Sequence, residues 1–398
     1  MKLLIGGSPC THWSIAQTKN RETEASGIGW ELFLNYRIAR DKYQPDFFLY
    51  ENNKSMSLAI REQISKELGV EPVLINSALV SAQNRQRLYW AGKRNQDGTY
   101  SQVAVEQPVD RGILLRDILE SGVCWKEKGY ALLSTTGGTT VGGTVNGHQR
   151  NGAAEPVRIG EIESAAAETR FDTSKQYKVY SPDGKATALC GNGGGADGAA
   201  TGLYAVPAGM AWRGRENGSA FEMRDDQKSN AVAATGHQSR LVIEAADGKQ
   251  MPVYEVRGGR ITIKGKTYPI KLADGFYIIR KLTVTECKRL QTVPDTYAFP
   301  VSDTQAYKML GNGWTVDVIA HIMSHFTGLT LEPVEVLSMY DGMSCGHIAL
   351  DKLGAEITAY YATEIDKYAI QTTQHNYPDT VQLGDAFQVR DNNWGVKE

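Results

Sequence analysis

A cysteine follows a turn of glycine, serine and proline near the start of the chain. Gly6-Gly7-Ser8-Pro9-Cys10 comes directly after the apolar run Leu3-Leu4-Ile5, which predicts a buried strand. A cysteine at the carboxyl end of such a strand lies where α/β proteins place their ligands, and its thiolate can act as a nucleophile. A free cysteine is more commonly a buried structural residue, so Cys10 alone does not establish this chemistry.

A carboxyl group and two arginines follow the next strands. Tyr50-Glu51-Asn52 ends an apolar run, and a carboxyl group there faces the same cleft as Cys10, as in a nucleophile paired with a general acid. Gln83-Asn84-Arg85-Gln86-Arg87 places Arg85 and Arg87 at alternate positions of an extended segment. Guanidinium groups can hold a carbonyl oxygen or a phosphate, although each arginine singly is also explained as solvated surface charge.

A glycine-containing turn near the C-terminus indicates a nucleoside site. The strand Val336–Tyr340 leads into Asp341-Gly342-Met343-Ser344-Cys345-Gly346, and Glu364 lies 22 positions after Gly342, at the tip of the next strand. That spacing suits an acid that binds a ribose. The carboxylate of Asp385, after a third strand, can accept a hydrogen bond from adenine. The G-x-x-x-G turn suits S-adenosylmethionine, which has no pyrophosphate, better than a dinucleotide. An ordinary turn with solvated acids is the alternative.

The elements around these residues predict a parallel α/β layer. Strands alternate with amphipathic helices at both ends of the chain, which is typical of βαβ units. The predicted strands are 3–5, 47–50, 88–91, 336–340, 357–361 and 380–383, and the predicted helices are 29–41, 58–68 and 348–353.

Residues 101–280 differ from both ends in composition. Glycine clusters and short β-type runs replace the helical patterns, and the segments 183–189 and 226–232 resemble each other as a degenerate repeat of small β-units. We therefore predict three parts: 1–100 and 281–398 form one α/β domain, and 101–280 is a β-rich insert within it.

Bulk properties limit the classes of protein. The 398 residues allow two or three domains, and the net charge of −2 gives no general basic excess for nucleic acid, although a cleft can be locally basic. The five cysteines are scattered without CxxC pairs or Cys/His ligand spacing, so we expect neither a zinc site nor disulfides. We find no signal peptide and no membrane span, and expect a cytoplasmic protein.

Together the motifs resemble the DNA cytosine-5 methyltransferase family. The proline–cysteine motif, the glutamate–asparagine motif and the QxRxR motif correspond to 6–10, 51–52 and 83–87. The stretch 282–295 resembles the family's segment after target recognition, and Gly311-Asn312-Gly313-Trp314 resembles its last motif. The turn 341–346, Glu364 and Asp385 resemble its three cofactor motifs.

The resemblance implies the fold, the reaction and the site residues. It implies a Rossmann-like, S-adenosylmethionine-dependent methyltransferase domain with an inserted target-recognition domain. Cys10 would add to carbon 6 of a flipped-out cytosine, while Glu51 donates to ring nitrogen 3 and Arg85 and Arg87 hold the base or a phosphate. The residues implied to bind the cofactor are Pro9, Leu32, Asn312, Trp314, Tyr340, Asp341, Gly342, Met343, Ser344, Cys345, Gly346, Glu364, Ile365, Asp385 and Ala386.

Three features depart from the family's usual pattern. The cofactor motifs normally come first but lie here at the C-terminus, so the chain resembles a circularly permuted member, cut where a helix enters a strand. The D-G-x-x-x-G turn and Trp314 resemble those of the animal de novo methyltransferases. The segment Thr11-His12-Trp13-Ser14 replaces the glutamine and phenylalanine that usually follow the cysteine.

The expected substrate is duplex DNA, read by the insert through base edges in a groove. Candidate readers are Arg213, Arg215, Lys228 and Arg240, each of which is also explained as surface charge. We expect a monomer, with or without a cognate restriction endonuclease. A tRNA cytosine-5 methyltransferase and a non-catalytic DNA-binding regulator stay open as alternatives, while the absent phosphate-binding fingerprint disfavours a dehydrogenase.

Overall fold

The computed structural model describes most of the two predicted α/β segments and parts of the segment between them. It describes residues 1–9, 12–13, 21–132, 134, 140–146, 151–156, 179–180, 203–204, 211–215, 218–222, 242–244 and 250–391. Cys10, Lys228, Arg240 and the two segments of the predicted repeat lie outside these residues. The part of the chain that is described contains no helix long and apolar enough to cross a membrane.

The strands are distributed along the whole chain. They are β1 (Lys2–Gly6), β2 (Phe47–Asn53), β3 (Val73–Asn76), β4 (Gln83–Asn84), β5 (Gln86–Arg94), β6 (Tyr100–Gln102), β7 (Gly129–Tyr130), β8 (Gly152–Pro156), β9 (Val179–Tyr180), β10 (Leu203–Tyr204), β11 (Ala211–Arg215), β12 (Gly218–Glu222), β13 (Val242–Glu244), β14 (Gln250–Pro252), β15 (Tyr254–Arg257), β16 (Arg260–Ile263), β17 (Lys266–Pro269), β18 (Gly275–Lys281), β19 (Val334–Met339), β20 (Ile357–Thr363) and β21 (Val381–Gly384).

The helices begin and end at residues suited to those positions. Ser57 caps the second helix by accepting from the Ile60 amide, and Gly69 ends it in the left-handed conformation. Thr283 and Glu286 form a reciprocal capping box on the fourth. The helices are α1 (Gly27–Tyr43), α2 (Leu58–Leu68), α3 (Val141–Asn146), α4 (Val284–Leu290), α5 (Asp303–Asn312), α6 (Val316–Met323), α7 (Cys345–Leu353) and α8 (Lys367–Asn376).

The main sheet is mostly parallel and joins the two ends of the chain. Its order is β21-β20-β19-β1-β2-β5-β3, with β6 pairing β5 at one end. β1 lies between β19 and β2 and is parallel to both, as are β19 to β20 and β20 to β21. This order confirms the predicted α/β class. Helices cover both faces of the sheet.

Alternating side chains of β1 separate the two cores. Leu3 and Ile5 pack on one face with α4 to α7, and Leu4 packs on the other with α1 and α2. Every residue of β2 is buried, as expected of a central strand covered on both sides.

The prediction of parallel strands throughout residues 1–100 was wrong for β5. This strand is antiparallel to both β2 and β3. Only residues 77–85 separate β3 from β5, which leaves no room for the long crossover that a parallel pair needs.

A second, antiparallel sheet has its own core. Its order is β17-β16-β15-β18-β8, and its buried residues include Trp125, Tyr254, Ile261 and Ile279. Residues Leu115, Ile118 and Leu132 instead pack in the core of the main sheet. The described part of 101–280 therefore contributes to both cores, and the predicted boundary at residue 100 stays a prediction.

Candidate active site at the carboxyl edge of the sheet

The carboxyl ends of five parallel strands meet in one register. Gly6 of β1 pairs with Tyr50 of β2 and with Met339 of β19, Met339 pairs with Thr363 of β20, and Thr363 pairs with Gly384 of β21. The predicted site residues directly follow these strand ends. The structure thus brings the turn before Pro9, the Glu51 carboxyl group, the 341–346 turn, Glu364 and Asp385 to one edge, where open α/β sheets bind ligands.

Glu51 is held by two side chains from distant segments. Its Oε1 lies 3.1 Å from Nε of Arg87, and its Oε2 accepts a 3.0 Å hydrogen bond from the indole Nε1 of Trp314. The Glu51 side chain is 11% exposed. A nearly buried carboxyl group with a donor on each oxygen has a fixed orientation, as a group that exchanges a proton with a bound ligand requires.

Asn52 connects this carboxyl strand to the turn that leads to Cys10. The Asn52 Nδ2 donates to the carbonyl oxygen of Ser8 at 3.1 Å and to the Tyr50 hydroxyl at 3.1 Å, and the Ser8 and Tyr50 hydroxyls are 2.7 Å apart. Ser8, Tyr50 and Asn52 were not among the predicted site residues. The glutamate–asparagine pair could have indicated Asn52. The backbone carbonyl group of Ser8, to which Asn52 donates, cannot be recognised from the sequence.

The two arginines of the predicted motif have different partners. Arg87 reaches Glu51, whereas the guanidinium of Arg85 donates to the carbonyl oxygens of Gly313 at 2.9 Å, Gly311 at 3.3 Å and Leu132 at 3.3 Å. Arg85 is 4% exposed. It therefore holds the backbone of the 311–314 segment in place. We infer that Arg85 affects the site by positioning this segment.

We expect Arg85→Ala to lower the free energy of unfolding by about 3 kcal/mol, because several buried carbonyl groups would lose a charged donor. Arg87→Ala removes one ion pair at the edge of the cleft, so its loss of stability should be smaller, about 1 kcal/mol, and its loss of activity larger. Urea unfolding of both variants, with an activity assay beside it, tests this. Equal stability of the two variants would contradict the assignment.

A buried network of amides joins three of the predicted motifs. Nε2 of Gln83 donates to Oε1 of Gln291 at 2.9 Å and to the carbonyl oxygen of Leu290. The Thr315 hydroxyl donates to the same Gln291 oxygen at 2.9 Å and lies 2.8 Å from the Ser77 hydroxyl. Since Nε2 of Gln291 also donates to the Gly313 carbonyl oxygen at 3.3 Å, the network joins the motifs at 83–87, 282–295 and 311–314.

The 341–346 turn has an unusual backbone. Tyr340, Gly342 and Ser344 all have positive φ, at 59°, 60° and 57°. Left-handed conformations are uncommon for residues with a side chain and cluster at functional sites. The turn is fixed by hydrogen bonds from the Tyr297 hydroxyl to the Met343 carbonyl oxygen at 2.7 Å and from the Tyr340 hydroxyl to the Leu32 carbonyl oxygen at 2.7 Å.

Gly346 allows α7 to approach the sheet closely. A Cβ atom built at Gly346 would lie 2.1 Å from the Cδ1 atom of Ile5 in β1. Any side chain there would push the helix, and the turn that precedes it, away from the strand.

Glu364 binds the turn directly. Its Oε2 accepts from the Gly342 amide at 2.8 Å, and its Oε1 accepts from the amides of Ile365 and Asp366 at 2.7 and 2.8 Å. Ile365 is 75% exposed beside it. A fixed carboxylate next to an exposed apolar side chain suits a ligand with hydroxyl groups and an aromatic ring.

The remaining predicted cofactor residues border the same edge. Asp385 is exposed and accepts from the Phe387 amide at 3.0 Å, while Ala386 is buried. Asn312 is exposed at the end of α5. The backbone of Trp314 contacts the Cys345 thiol, so the 311–314 segment touches the turn.

Burial raises the pKa of Asp341 to about 6, although its carboxylate accepts hydrogen bonds from the hydroxyls of Ser344 and Tyr360. The folded protein therefore favours the protonated acid, and this contribution to stability is lost as the pH rises from about 4 through 6. Asp341 faces inward to Ser344 and Tyr360, so we infer that it shapes the turn.

We expect Asp341→Asn to gain stability relative to the natural protein as the pH rises from 4 to 7, by up to about 3 kcal/mol, and to show no further change above pH 8. Urea unfolding of both proteins across this range measures the difference. A difference that does not vary with pH would show that the carboxyl group titrates normally.

The described cysteines are poor nucleophiles. Burial raises the pKa of Cys345 to about 12 and also raises that of Cys287 and Cys124. A thiol with a raised pKa stays protonated at neutral pH and reacts slowly. Among the described residues, no group of His, Cys, Asp and Glu is placed to hold a metal ion.

The fold and site define a Rossmann-like α/β enzyme, and comparison with known proteins identifies its family. The model of the C-5 cytosine-specific DNA methylase family matches residues 1–327. Type II methyltransferase M.HpaII of Haemophilus parainfluenzae is 24% identical over 332 residues, covering 80% of this chain and 69% of that protein. Orphan methyltransferase M.SPRI of Bacillus phage SPR is 26% identical over 381 residues, covering 80% and 81%.

Among solved structures, Entamoeba histolytica methyltransferase EhMeth covers 81% of this chain and 76% of its own, at 12% identity and a TM-score of 0.34. The family match spans more than half of the chain. The chain therefore belongs to the C-5 cytosine-specific DNA methylase family, and the enzyme class predicted from its motifs is confirmed.

Proposed function

We propose that this protein transfers a methyl group from S-adenosylmethionine to carbon 5 of cytosine in a particular duplex DNA sequence. The observation that carries this proposal is the Glu51 carboxyl group, fixed by Arg87 and Trp314 at the sheet edge where the turn toward Cys10 also ends. Membership in the cytosine-specific family supplies the base and the atom that is methylated.

The chain's residues fit S-adenosylmethionine. Space beside Gly342 is open, with no atom within 4 Å of a Cβ built there. We assign the Glu364 carboxylate to the ribose hydroxyls, the exposed Ile365 side chain to a face of the adenine, and the Asp385 carboxylate to the adenine amino group. Glu364 and Ile365 follow β20, whose last residue pairs with Met339 just before the 341–346 turn, and Asp385 follows β21, the next strand of the sheet. When bound, this molecule supplies an electrophilic methyl group.

The reaction follows from the chemistry of cytosine, whose carbon 5 is a poor nucleophile. The Cys10 thiolate adds to carbon 6, and Glu51 donates a proton to ring nitrogen 3, so that the ring gains no net negative charge. Arg87 holds the ring carbonyl oxygen. The resulting enamine places electron density on carbon 5, which would form the new bond to the methyl carbon while the bond from that carbon to the sulfonium sulfur breaks and a neutral thioether leaves. A base, for which water suffices, then removes the carbon-5 proton, Cys10 leaves, and nitrogen 3 returns its proton to Glu51.

The target base must leave the stack to reach Cys10, which costs a few kcal/mol. We assign recognition of the surrounding sequence to residues 101–280. The antiparallel sheet of β15 to β18 and β8 supports this, because it forms a core separate from the catalytic sheet. Arg213 and Arg215 lie on β11, which pairs with β12 as a hairpin, and stay candidates for base or phosphate contacts.

We further propose that the order of the motifs is permuted. The family match ends at residue 327, while β19 to β21, which carry the predicted cofactor motifs, complete the sheet beside β1. The type II and orphan relatives suggest DNA modification, either with a restriction partner or without one. We propose a monomer, since one chain contributes every residue assigned here.

Transfer of labelled methyl from S-adenosylmethionine to duplex DNA tests this function, with bisulfite sequencing of the product. We expect label at cytosines within a recurring sequence. A parallel reaction with total tRNA serves as the comparison. Label on tRNA but not on DNA would contradict the proposed substrate, and bound cofactor without transfer to either would favour a regulator.

A further inference from the structure

Trp314 bridges the last family motif and the catalytic carboxyl group. Its indole Nε1 donates to Oε2 of Glu51 at 3.0 Å, across 263 residues of sequence, while Arg87 pairs with the other oxygen. The resemblance had assigned Trp314 to cofactor binding alone. An indole N–H group only donates and carries no charge, so it can orient a carboxyl group in either protonation state.

The contact between Trp314 and Glu51 passes over Gly7. A Cβ atom built at Gly7 would lie 2.8 Å from the Glu51 carbonyl oxygen, 3.0 Å from its Oε2 and 3.4 Å from Nε1 of Trp314. A side chain at this position would crowd the Glu51 carbonyl oxygen and Oε2, so the carboxyl group that the indole contacts would have to shift. The turn that leads to Cys10 thus packs against one side of the pair formed by Trp314 and Glu51.

The backbone around Trp314 is fixed on both sides. Arg85 donates to the carbonyl oxygen of Gly313 at 2.9 Å, and the Thr315 hydroxyl donates to Gln291 at 2.9 Å. Thr315 is 1% exposed. Because the segment that carries the Trp314 indole is rigid, the indole N–H group fixes the position of the oxygen that accepts from it, which is Oε2 of Glu51.

We propose that Trp314 is a positioning residue for Glu51, which assigns different roles to the two carboxyl oxygens. Trp314 retains Oε2, and Oε1 carries the proton that is given to cytosine once Arg87 turns from it to the base. The inference rests on the proposed function for the role of Glu51, but the contact itself is testable without activity. Because the 311–314 segment also touches the cofactor turn, one residue connects both halves of the site.

The contact is tested by NMR of indole ¹⁵N–¹H groups in the intact protein, which has seven tryptophans. The Trp314 signal is assigned by its loss in Trp314→Phe. We expect Glu51→Ala to shift this signal and to leave that of Trp90 in place, since the Trp90 indole donates to Ser65 at 3.0 Å. An unchanged Trp314 signal would overturn the inference whatever the substrate of the enzyme proves to be.

The role is tested by kinetics of Trp314→Phe, with Trp90→Phe as the matched control. We expect kcat to fall about 10- to 100-fold, as for loss of a hydrogen bond to a charged group, while KM for S-adenosylmethionine changes less than about 3-fold. In a Glu51→Ala background the same substitution should have no further effect on kcat. A raised KM with unchanged kcat, or an equal loss in the Glu51→Ala background, would overturn the inference.

Gly7→Ala provides a second variant in case Trp314→Phe does not fold. It keeps the indole but crowds the Glu51 carbonyl oxygen and Oε2, so the carboxyl group must shift and kcat should again fall without loss of cofactor affinity. A Gly7→Ala protein with normal kcat and an unshifted Trp314 signal would contradict the geometry. An inactive natural protein on DNA would refute the proposed function instead and leave the NMR result to decide the contact.

Discussion

Cys10→Ala is expected to lower methyl transfer to DNA by at least about 10⁴-fold, because no other group in the proposed mechanism can add to carbon 6. Label transfer at saturating DNA and S-adenosylmethionine measures the loss. Cys124→Ala is the matched control, since Cys124 is half-buried away from the sheet edge, and it should retain activity.

A second measurement follows the covalent step itself. DNA that contains 5-fluorocytosine has no carbon-5 proton to release, so the natural enzyme should stay attached to it through denaturing electrophoresis. Cys10→Ala should form no such complex while still binding the DNA. Carbon-5 methylation that survives the substitution would rule out Cys10 as the nucleophile.

Glu51→Gln is expected to reduce kcat by about 10²- to 10⁴-fold, the range for loss of a general acid. Glutamine keeps the shape of the side chain and an oxygen that can accept from Trp314, but it has no proton to give to ring nitrogen 3. Binding of DNA and S-adenosylmethionine should therefore change little. Transfer kinetics together with equilibrium binding measure the two effects separately.

Glu22→Gln is the matched carboxyl control for this prediction. Glu22 accepts from the indole of Trp13 at 3.2 Å and from the amide of Gly29, and does not touch Glu51. Its substitution should leave kcat within a few-fold of the natural protein. If Glu51→Gln keeps full activity, the proton on nitrogen 3 comes from another source.

The sequence by itself determined the strand ends and the chemistry placed on them. The predicted helix 58–68 agrees with α2, and the predicted strands 3–5, 47–50, 357–361 and 380–383 agree with β1, β2, β20 and β21 to within a few residues. Buried parallel strands require continuous apolar runs, and sharp turns after them require glycine or proline, so both leave strong local signals. The residue types at Glu51, at Glu364 and in the 341–346 turn can likewise be read from the local sequence.

Tertiary structure alone separated residues that look equivalent in sequence. Arg85 and Arg87 are two positions apart, which in a continuous strand would place both on one face. The break between β4 and β5 instead directs Arg85 to the carbonyl groups of 311–313 and Arg87 to Glu51. No local pattern encodes this, because the partners come from segments far along the chain.

The contacts that fix the Glu51 carboxyl group were decided in the same way. Trp314 meets Glu51 because the segment that follows α5 reaches the carboxyl end of β2, and β5 runs antiparallel to β3 across a short connection. Sequence shows which side chains are available for chemistry. Their mutual distances depend on how helices and strands pack over the whole domain, and packing joins residues that local sequence does not relate.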